Sequence, residues 1–331
     1  MIRLDIKERI FNISSEEEFN RLAIEVFTYQ VENNPVYQKY ANCICNDLKH
    51  IRHFEQIPFL PIEFFKSQKI ITGNKPVQAV FGSSGTTGQA KSYHYVTDLA
   101  IYEEASITAF ERVYGKVADY IILALLPSYI ERKNSSLVWM TELFINKSNY
   151  KKDCGFYLNE YSLLLERLKI LKKDPSRKIL LLGVSYALLD LAEKIDFRLE
   201  NAIVMETGGM KGKRKEIIRE ELHAIICKKF GVTSVHSEYG MTELLSQAYS
   251  QDNGIYKCPP WMKVLAREMN DPLTLVESGR NGGMNIIDLA NVNSCSFVAT
   301  QDIGKLFNDG SFEVSGRFDQ SETRGCNLLV S

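Results

Sequence analysis

Two kinds of apolar run divide this chain. "DYIILALLPS" and "KILLLGVS" are continuous apolar stretches ending at a proline or a polar turn, the pattern of strands buried on both faces. Between and after them the period changes to that of helices. "YALLDLAEKIDF" is a helix, "NAIVMETGGMKG" a strand ending in glycines, and "KRKEIIREELHAIICKKFG" a charged amphipathic helix closed by Gly231. "VTSVHSEYGMTE" is then a strand running into a polar loop. Upstream, "SSEEEFNRLAIEVFTYQVENNP" carries Ser14 or Ser15 as an N-cap, with Glu17 or Glu18 three residues on. Leu22, Ile24, Val26 and Phe27 supply its apolar face, and Asn33-Asn34-Pro35 its stop. "IPFLPIEFFKSQKI" reads as an ordered, irregular segment, "PVQAVFGSS" as a short strand, and "SYHYVTDLAIYEEASITAFERVYG" as a strand followed by a helix ending at Gly115.

Strands alternating with helices predict an α/β fold with a mostly parallel sheet. From about residue 254 the grammar shifts to "WMKVLARE", "GGMNIIDLA", "CSFVATQDIGKLF" and "SFEVSGRFD", short strands separated by Gly, Asn and Asp turns. The expected division is an α/β nucleotide- and acyl-binding core over 1–253 and a small β-rich subdomain over 254–331.

Composition narrows the class. With 331 residues, 45% of them hydrophobic, the chain buries a large core in one or two domains. Lys and Arg number 40 against 41 Asp and Glu, so no global field favours nucleic acid or an anionic membrane. No apolar run approaches the roughly 20 residues of an integral membrane segment, and "MIRLDIKERIF" has no signal core. Seven cysteines without a CxxC pair suit a reducing, cytoplasmic setting, where most would be small core residues.

The chemistry concentrates in "VFGSSGTTGQAKSYHYV". Gly85 and Gly88 let backbone N–H groups approach a phosphate, Ser83, Ser84, Thr86 and Thr87 offer hydroxyls, and Lys91 adds charge. Gln89 and Ala90 stand where a Walker loop needs its lysine directly after glycine, so that motif is excluded. Taken alone, such a loop is equally a solvated connection. Downstream, "SEYGMTE" follows a strand, where ligand loops of parallel sheets sit. It offers Tyr239 as a face for a planar base, Thr242 as a hydroxyl and Glu243 as a magnesium ligand. Asp302 in "TQDIGKL" can accept from both ribose hydroxyls, and "GRFDQSETRG" supplies Arg317. His236 is a candidate for substrate contact or thiol deprotonation, or a hydrogen-bonded strand-end residue; His94 reads as a strand residue.

This ordered set resembles the adenylate-forming superfamily of acyl-CoA synthetases, luciferase and peptide-synthetase adenylation domains, whose loops read roughly SSGTTGxPK, YGxTE, TGD and GRxDDxxKxRG. The resemblance covers residues 80 to 326, about three quarters of the chain. It implies the superfamily's large-domain fold, with mixed and parallel sheets flanked by helices, and ATP and Mg2+ as cofactors. By similarity, Ser83 through Lys91 hold the β- and γ-phosphates. Gly208 and Gly209 line the adenine pocket, within which Tyr239 stacks. Glu238, Gly240 and Met241 complete that loop, Thr242 and Glu243 meet the α-phosphate and Mg2+, and Asp302 with Arg317 holds the ribose.

Ala90 replaces the usual proline, and Gln301 the glycine before Asp302. The superfamily's mobile C-terminal domain with its essential lysine is expected to be absent, since the chain ends 12 residues after Asp319. Lys91, Lys211 and Lys213 are the candidate replacements. More narrowly, "IPFLPIEFFKSQKI", "LLPSYIERKNSSLVWM", "ETGGMKGKR" and "RGCNLLVS" resemble the acyl-protein synthetase subunit of bacterial fatty-acid reductase complexes, the long-chain-fatty-acid–protein ligases. That resemblance implies adenylation of a carboxylic acid, foremost a fatty acid, then transfer to Cys326 and on to an acyl reductase or other acceptor protein. From position alone Cys326 is equally a small hydrophobe in "CNLLV". Two alternatives stand beside this reading: an acyl- or aryl-CoA ligase of the phenylacetate-CoA ligase type, and a non-catalytic nucleotide-binding partner subunit.

Overall fold

The computed structural model describes residues 6–83, 90–127, 134–208 and 217–318. Three short strands come first, β1 (Leu60–Pro61), β2 (Ala79–Gly82) and β3 (Tyr93–Val96), the last two forming an antiparallel hairpin. They follow helices α1 (Ile6–Phe11), α2 (Glu16–Asn33) and α3 (Pro35–Ile44), and α4 (Phe64–Ser67) lies between β1 and β2. Ser15 caps α2 by accepting from Glu18 N, while Glu18 Oε2 accepts from Ser14 N and Oγ. Asn34 ends α2 and caps α3, with Pro35 at the first helical position, where its missing N–H costs nothing.

The apolar runs become the centre of a six-stranded sheet ordered β5-β4-β6-β7-β8-β9. Its strands are β4 (Tyr120–Leu125), β5 (Gly155–Phe156), β6 (Lys178–Val184), β7 (Ala202–Thr207), β8 (His236–Tyr239) and β9 (Ala248–Ser250). All pair in parallel except β9, which runs antiparallel to β8. Every residue of β4 is buried, as its unbroken apolar run requires. Helices α5 (Leu99–Tyr114), α6 (Ser136–Lys147), α7 (Tyr161–Leu171), α8 (Ser185–Lys194) and α9 (Arg219–Phe230) connect the strands. The charged stretch read as one helix starts later than its composition suggests: Ile218 is extended and α9 begins at Arg219. Gly231 closes it in the left-handed region at φ +74°.

The C-terminal strands β10 (Ile255–Tyr256), β11 (Met262–Arg267), β12 (Asn281–Asp288), β13 (Phe297–Leu306) and β14 (Phe312–Arg317) form a second, antiparallel sheet in the order β10-β14-β13-β12-β11. It takes in β1, which pairs parallel with β13, Leu60 opposite Val298. One contiguous apolar core joins α1 and α2, the parallel sheet, Leu265, Ile287 and Phe297 of the second sheet, and Trp261 just before β11. A smaller cluster of Tyr239, Tyr256, Met284 and Phe312 fills the space between β8 and β14. Of the six described cysteines Cys295 lies in the core, Cys45, Cys154, Cys227 and Cys258 are partly buried and pack against the apolar clusters, and Cys43 is exposed. Among the described residues no helix is long and apolar enough to cross a membrane.

Candidate active site

The hairpin β2–β3 places the glycine-rich loop. Ser83 N donates to Ser92 O at 3.0 Å, and Ser92 N donates to Ser83 Oγ at 3.0 Å. These bonds close the base of the loop, whose tip, including Ser84, Gly85, Thr86, Thr87 and Gly88, lies outside the described residues. Lys91 is exposed beside it. Along β3 the side chains alternate: Tyr93 is exposed, whereas Ser92, His94 and Val96 are buried on the other face. That buried face meets the turn after β8. The Ser92 side chain lies beside the Glu243 carboxylate, close enough to favour its ionised form, and His94 Nδ1 lies 2.9 Å from the Thr242 carbonyl. The first two motifs, 150 residues apart in the chain, therefore share one cluster.

Glu243 is 6% exposed, and burial raises its pKa above the ordinary glutamate value despite the neighbouring Ser92 side chain, which acts to lower it. The turn is held from a second side by Asn291, whose Nδ2 donates to Glu243 O at 2.7 Å. His94 is fully buried, and burial pushes its pKa down to about 4. A neutral ring has one N–H, and a carbonyl only accepts, so the proton belongs on Nδ1. Nε2 of His94 and Oδ1 of Asn291 are then lone-pair atoms, both enclosed without a hydrogen-bond partner among the described residues. Leaving such an atom unsatisfied costs roughly 1–3 kcal/mol.

Tyr239 ends β8 with its ring enclosed by Tyr256 and Phe312, centroids 5.7 and 5.4 Å away. It is 9% exposed, so it packs within a cluster and does not stand as an open face. Its hydroxyl donates to Asp302 Oδ2 at 2.7 Å, and burial followed by the Asp302 charge raises its pKa well above the tyrosine norm. Asp302 and Arg317 are opposite one another in the β13–β14 register, with Arg317 Nε 3.6 Å from Asp302 Oδ1. Gly240 follows; a Cβ there would come within 2.5 Å of Glu238 Oε1, so a side chain would have to displace that carboxylate. Glu238 itself is buried and accepts from Thr207 Oγ1 at 2.5 Å. Met241 packs against both apolar clusters.

At the end of β7, Gly208 is exposed in the left-handed region at φ +58°, and its carbonyl accepts from Ser185 Oγ at 3.0 Å. Gly209, Lys211 and Lys213 lie outside the described residues, as does Cys326. Next to Gly208, Glu206 was not singled out from sequence. Its buried carboxylate accepts from Ser185 Oγ (2.7 Å) and Ser237 Oγ (3.0 Å) and lies 3.4 Å from His223 Nε2. Burial alone would raise its pKa, but the bonds from His223 and Ser185, together with the His223 and Arg219 charges, lower it overall. His236 sits at the far end of β8 from Tyr239, with Nδ1 3.2 Å from Tyr114 Oη of α5; burial lowers its pKa. It belongs with that aromatic group and not with Asp302 or Glu243. Alternation in "SYHYV" was the available signal for Ser92 and His94; nothing local marked Asn291 or Ser185.

Among the described residues no three His, Cys, Asp or Glu side chains gather as a metal cluster. A lone buried carboxylate suits Mg2+ in one form, that of an ion completing its shell with phosphates and waters, and Glu243 meets that description.

A family model described as acyl-protein synthetase, LuxE, matches residues 5–331. Comparison with curated protein sequences gives no significant match. Solved structures share the fold. ATP-bound MatB from Rhodopseudomonas palustris aligns with TM-score 0.55 and 15% identity, covering 74% of this chain and 49% of MatB. An open conformation of 2-hydroxyisobutyryl-CoA ligase, in complex with 2-HIB-AMP and CoA, aligns with TM-score 0.67 and 13% identity over 93% of this chain and 71% of that one. The chain thus spans about half the length of MatB.

Proposed function

Because the chain belongs to the acyl-protein synthetase family, we propose that it activates a carboxylic acid, foremost a fatty acid, with ATP and Mg2+ and carries the acyl group on Cys326. In the first step a carboxylate oxygen of the acid attacks the α-phosphorus of ATP; the bond to the β-phosphate bridging oxygen breaks and pyrophosphate leaves. In the second, the Cys326 thiolate attacks the acyl carbonyl, the C–O bond of the acyl adenylate breaks, and AMP leaves with its electron pair. The thiol proton goes to solvent or a base. The thioester then passes its acyl group to a nucleophile on an acceptor protein such as an acyl reductase.

The observation that carries this reading is the convergence of motifs at the strand ends. Ser92 sets the base of the glycine loop beside Glu243, and Tyr239 orients the Asp302 carboxylate beside Arg317. Glu243 and Asp302 are close enough to act on each other's charge, so a nucleotide with its phosphates at Glu243 would have its ribose at Asp302. Bound Mg2+ would supply charge neutralisation on the phosphates, with Glu243 holding it. The chain's residues hold, orient and shield the nucleotide. Ionised Glu243 is favoured by Ser92, and Asp302, contacted by Tyr239 and Arg317, would accept from the paired ribose hydroxyls. Preorganised donors and charges of this kind act on the charge developing at phosphorus.

Pyrophosphate–ATP exchange over a panel of carboxylic acids tests the first step; a nucleotide-binding subunit without catalysis gives none with any acid. Intact-mass measurement after incubation with fatty acid and MgATP tests the second. An acyl adduct that Cys326→Ser lacks is expected, and equal labelling of the serine variant refutes the acceptor role. CoA-dependent AMP release without protein acylation would point to a CoA ligase.

A further inference from the structure

We propose that His94 is a positioning residue for the adenylation site: through its Nδ1–H it fixes the Thr242–Glu243 turn to the strand that carries the glycine loop. The inference rests on the function proposed above for what the turn does, but not for how the turn is held.

The geometry is specific. Ser92 and His94 are two residues apart on β3 and so share its buried face. One reaches the side chain of Glu243, the other the backbone of Thr242. Asn291 completes the grip by donating to Glu243 O at 2.7 Å. The turn lies between β8 and β9, so its own backbone bonds are few: Leu244 N donates to Met241 O at 3.1 Å. The buried Asp288 carboxylate holds the far half of the turn by accepting from Leu245 N and Ser246 N, and the two side-chain donors on the Thr242 and Glu243 carbonyls hold the half that carries Glu243.

The surroundings of His94 argue that the ring is there to donate. Phe65 packs edge-on against it at 5.9 Å, and Phe81, also buried, is its partner in the hairpin register. A phenylalanine or methionine would fill this apolar slot without stranding Nε2. The imidazole bonds the Thr242 carbonyl and has the Asn291 side chain as its other polar neighbour. Because β2 and β3 also close the base of the glycine loop, displacement of His94 would move Glu243 relative to the phosphate-binding loop without touching nucleotide.

His94→Phe keeps the volume and removes the donor; His94→Asn keeps a donor near the Nδ1 position in a smaller side chain. In the nucleotide-free protein, hydrogen exchange followed by mass spectrometry should show peptides spanning 240–247 exchanging about fivefold faster in H94F, the scale of one ordinary hydrogen bond. H94N should recover most of that protection. In pyrophosphate–ATP exchange the half-saturating Mg2+ concentration should rise by a similar factor in H94F and return toward the original in H94N. Unchanged exchange of 240–247 in H94F, or an H94N as perturbed as H94F, overturns the proposal. If H94F speeds exchange throughout the chain, including β4 and β6, His94→Met replaces it with the same two outcomes. The hydrogen-exchange arm stands apart from catalysis: a wild-type protein without pyrophosphate exchange defeats the adenylation reading and leaves this arm to decide the role of His94.

Discussion

Tyr239→Phe isolates the contact that joins the two sheets at the site. The substitution removes only the hydroxyl, and the ring keeps its packing on Tyr256 and Phe312. What is lost is the 2.7 Å hydrogen bond to the Asp302 carboxylate. Hydrogen bonds to charged groups contribute roughly 1.5–3 kcal/mol, and both partners are under 10% exposed, so about 2 kcal/mol is the expected loss. That is about 30-fold in the folding equilibrium. With an unfolding entropy near 2.1 cal/mol/K per residue, 331 residues give about 0.7 kcal/mol/K, and the midpoint should fall by about 3 °C. Scanning calorimetry measures this, and a double-mutant cycle with Asp302→Asn apportions it. Coupling of 1 kcal/mol or more, roughly, is expected for so direct a contact. A midpoint within about 1 °C of the original, together with additive single changes, would refute the reasoning. Tyr239 would then be a packing residue only.

The buried carboxylates should respond to pH with opposite signs. Glu243 has its pKa raised by burial, so its contribution to stability is present below the ordinary glutamate range and is lost as pH rises through the raised value. Glu243→Gln should accordingly stabilise the nucleotide-free protein at neutral pH while abolishing pyrophosphate exchange; denaturation at pH 5 and 8 checks the sign. Glu206 is lowered, because hydrogen bonds from His223 and Ser185, together with the His223 and Arg219 charges, outweigh burial. Its contribution is present above the ordinary range and lost as pH falls through the lowered value. Glu206→Gln should therefore destabilise at neutral pH by about 1–3 kcal/mol, with the deficit shrinking in acid denaturation. Cys326→Ser should retain pyrophosphate exchange and lose the acyl adduct, as separate adenylation and transfer steps require.

Local residue pattern was enough to read the elements and the chemistry on offer. Continuous apolar runs became β4 and β6 because a strand buried on both faces has no position for a polar residue. Asn34-Pro35 and Gly231 ended helices through local backbone geometry that needs no tertiary partner. The loops bearing Ser83, Glu243 and Asp302 were legible for the same reason, being short runs of residue types set by local chemistry. What those loops touch follows from how the strands pack in three dimensions. The pairing of β1 with β13 rests on two residues, too few for any period to register. Tyr239 turned inward to Asp302 because β8 ends against β14, a contact between residues 63 positions apart. The grip of Ser92 and His94 on the turn at 242–243 likewise depends on where two strand ends meet. Hydrogen-bond geometry at such distances in the chain leaves no trace in local pattern, and so the strand grammar was readable while the holding residues of the site were not.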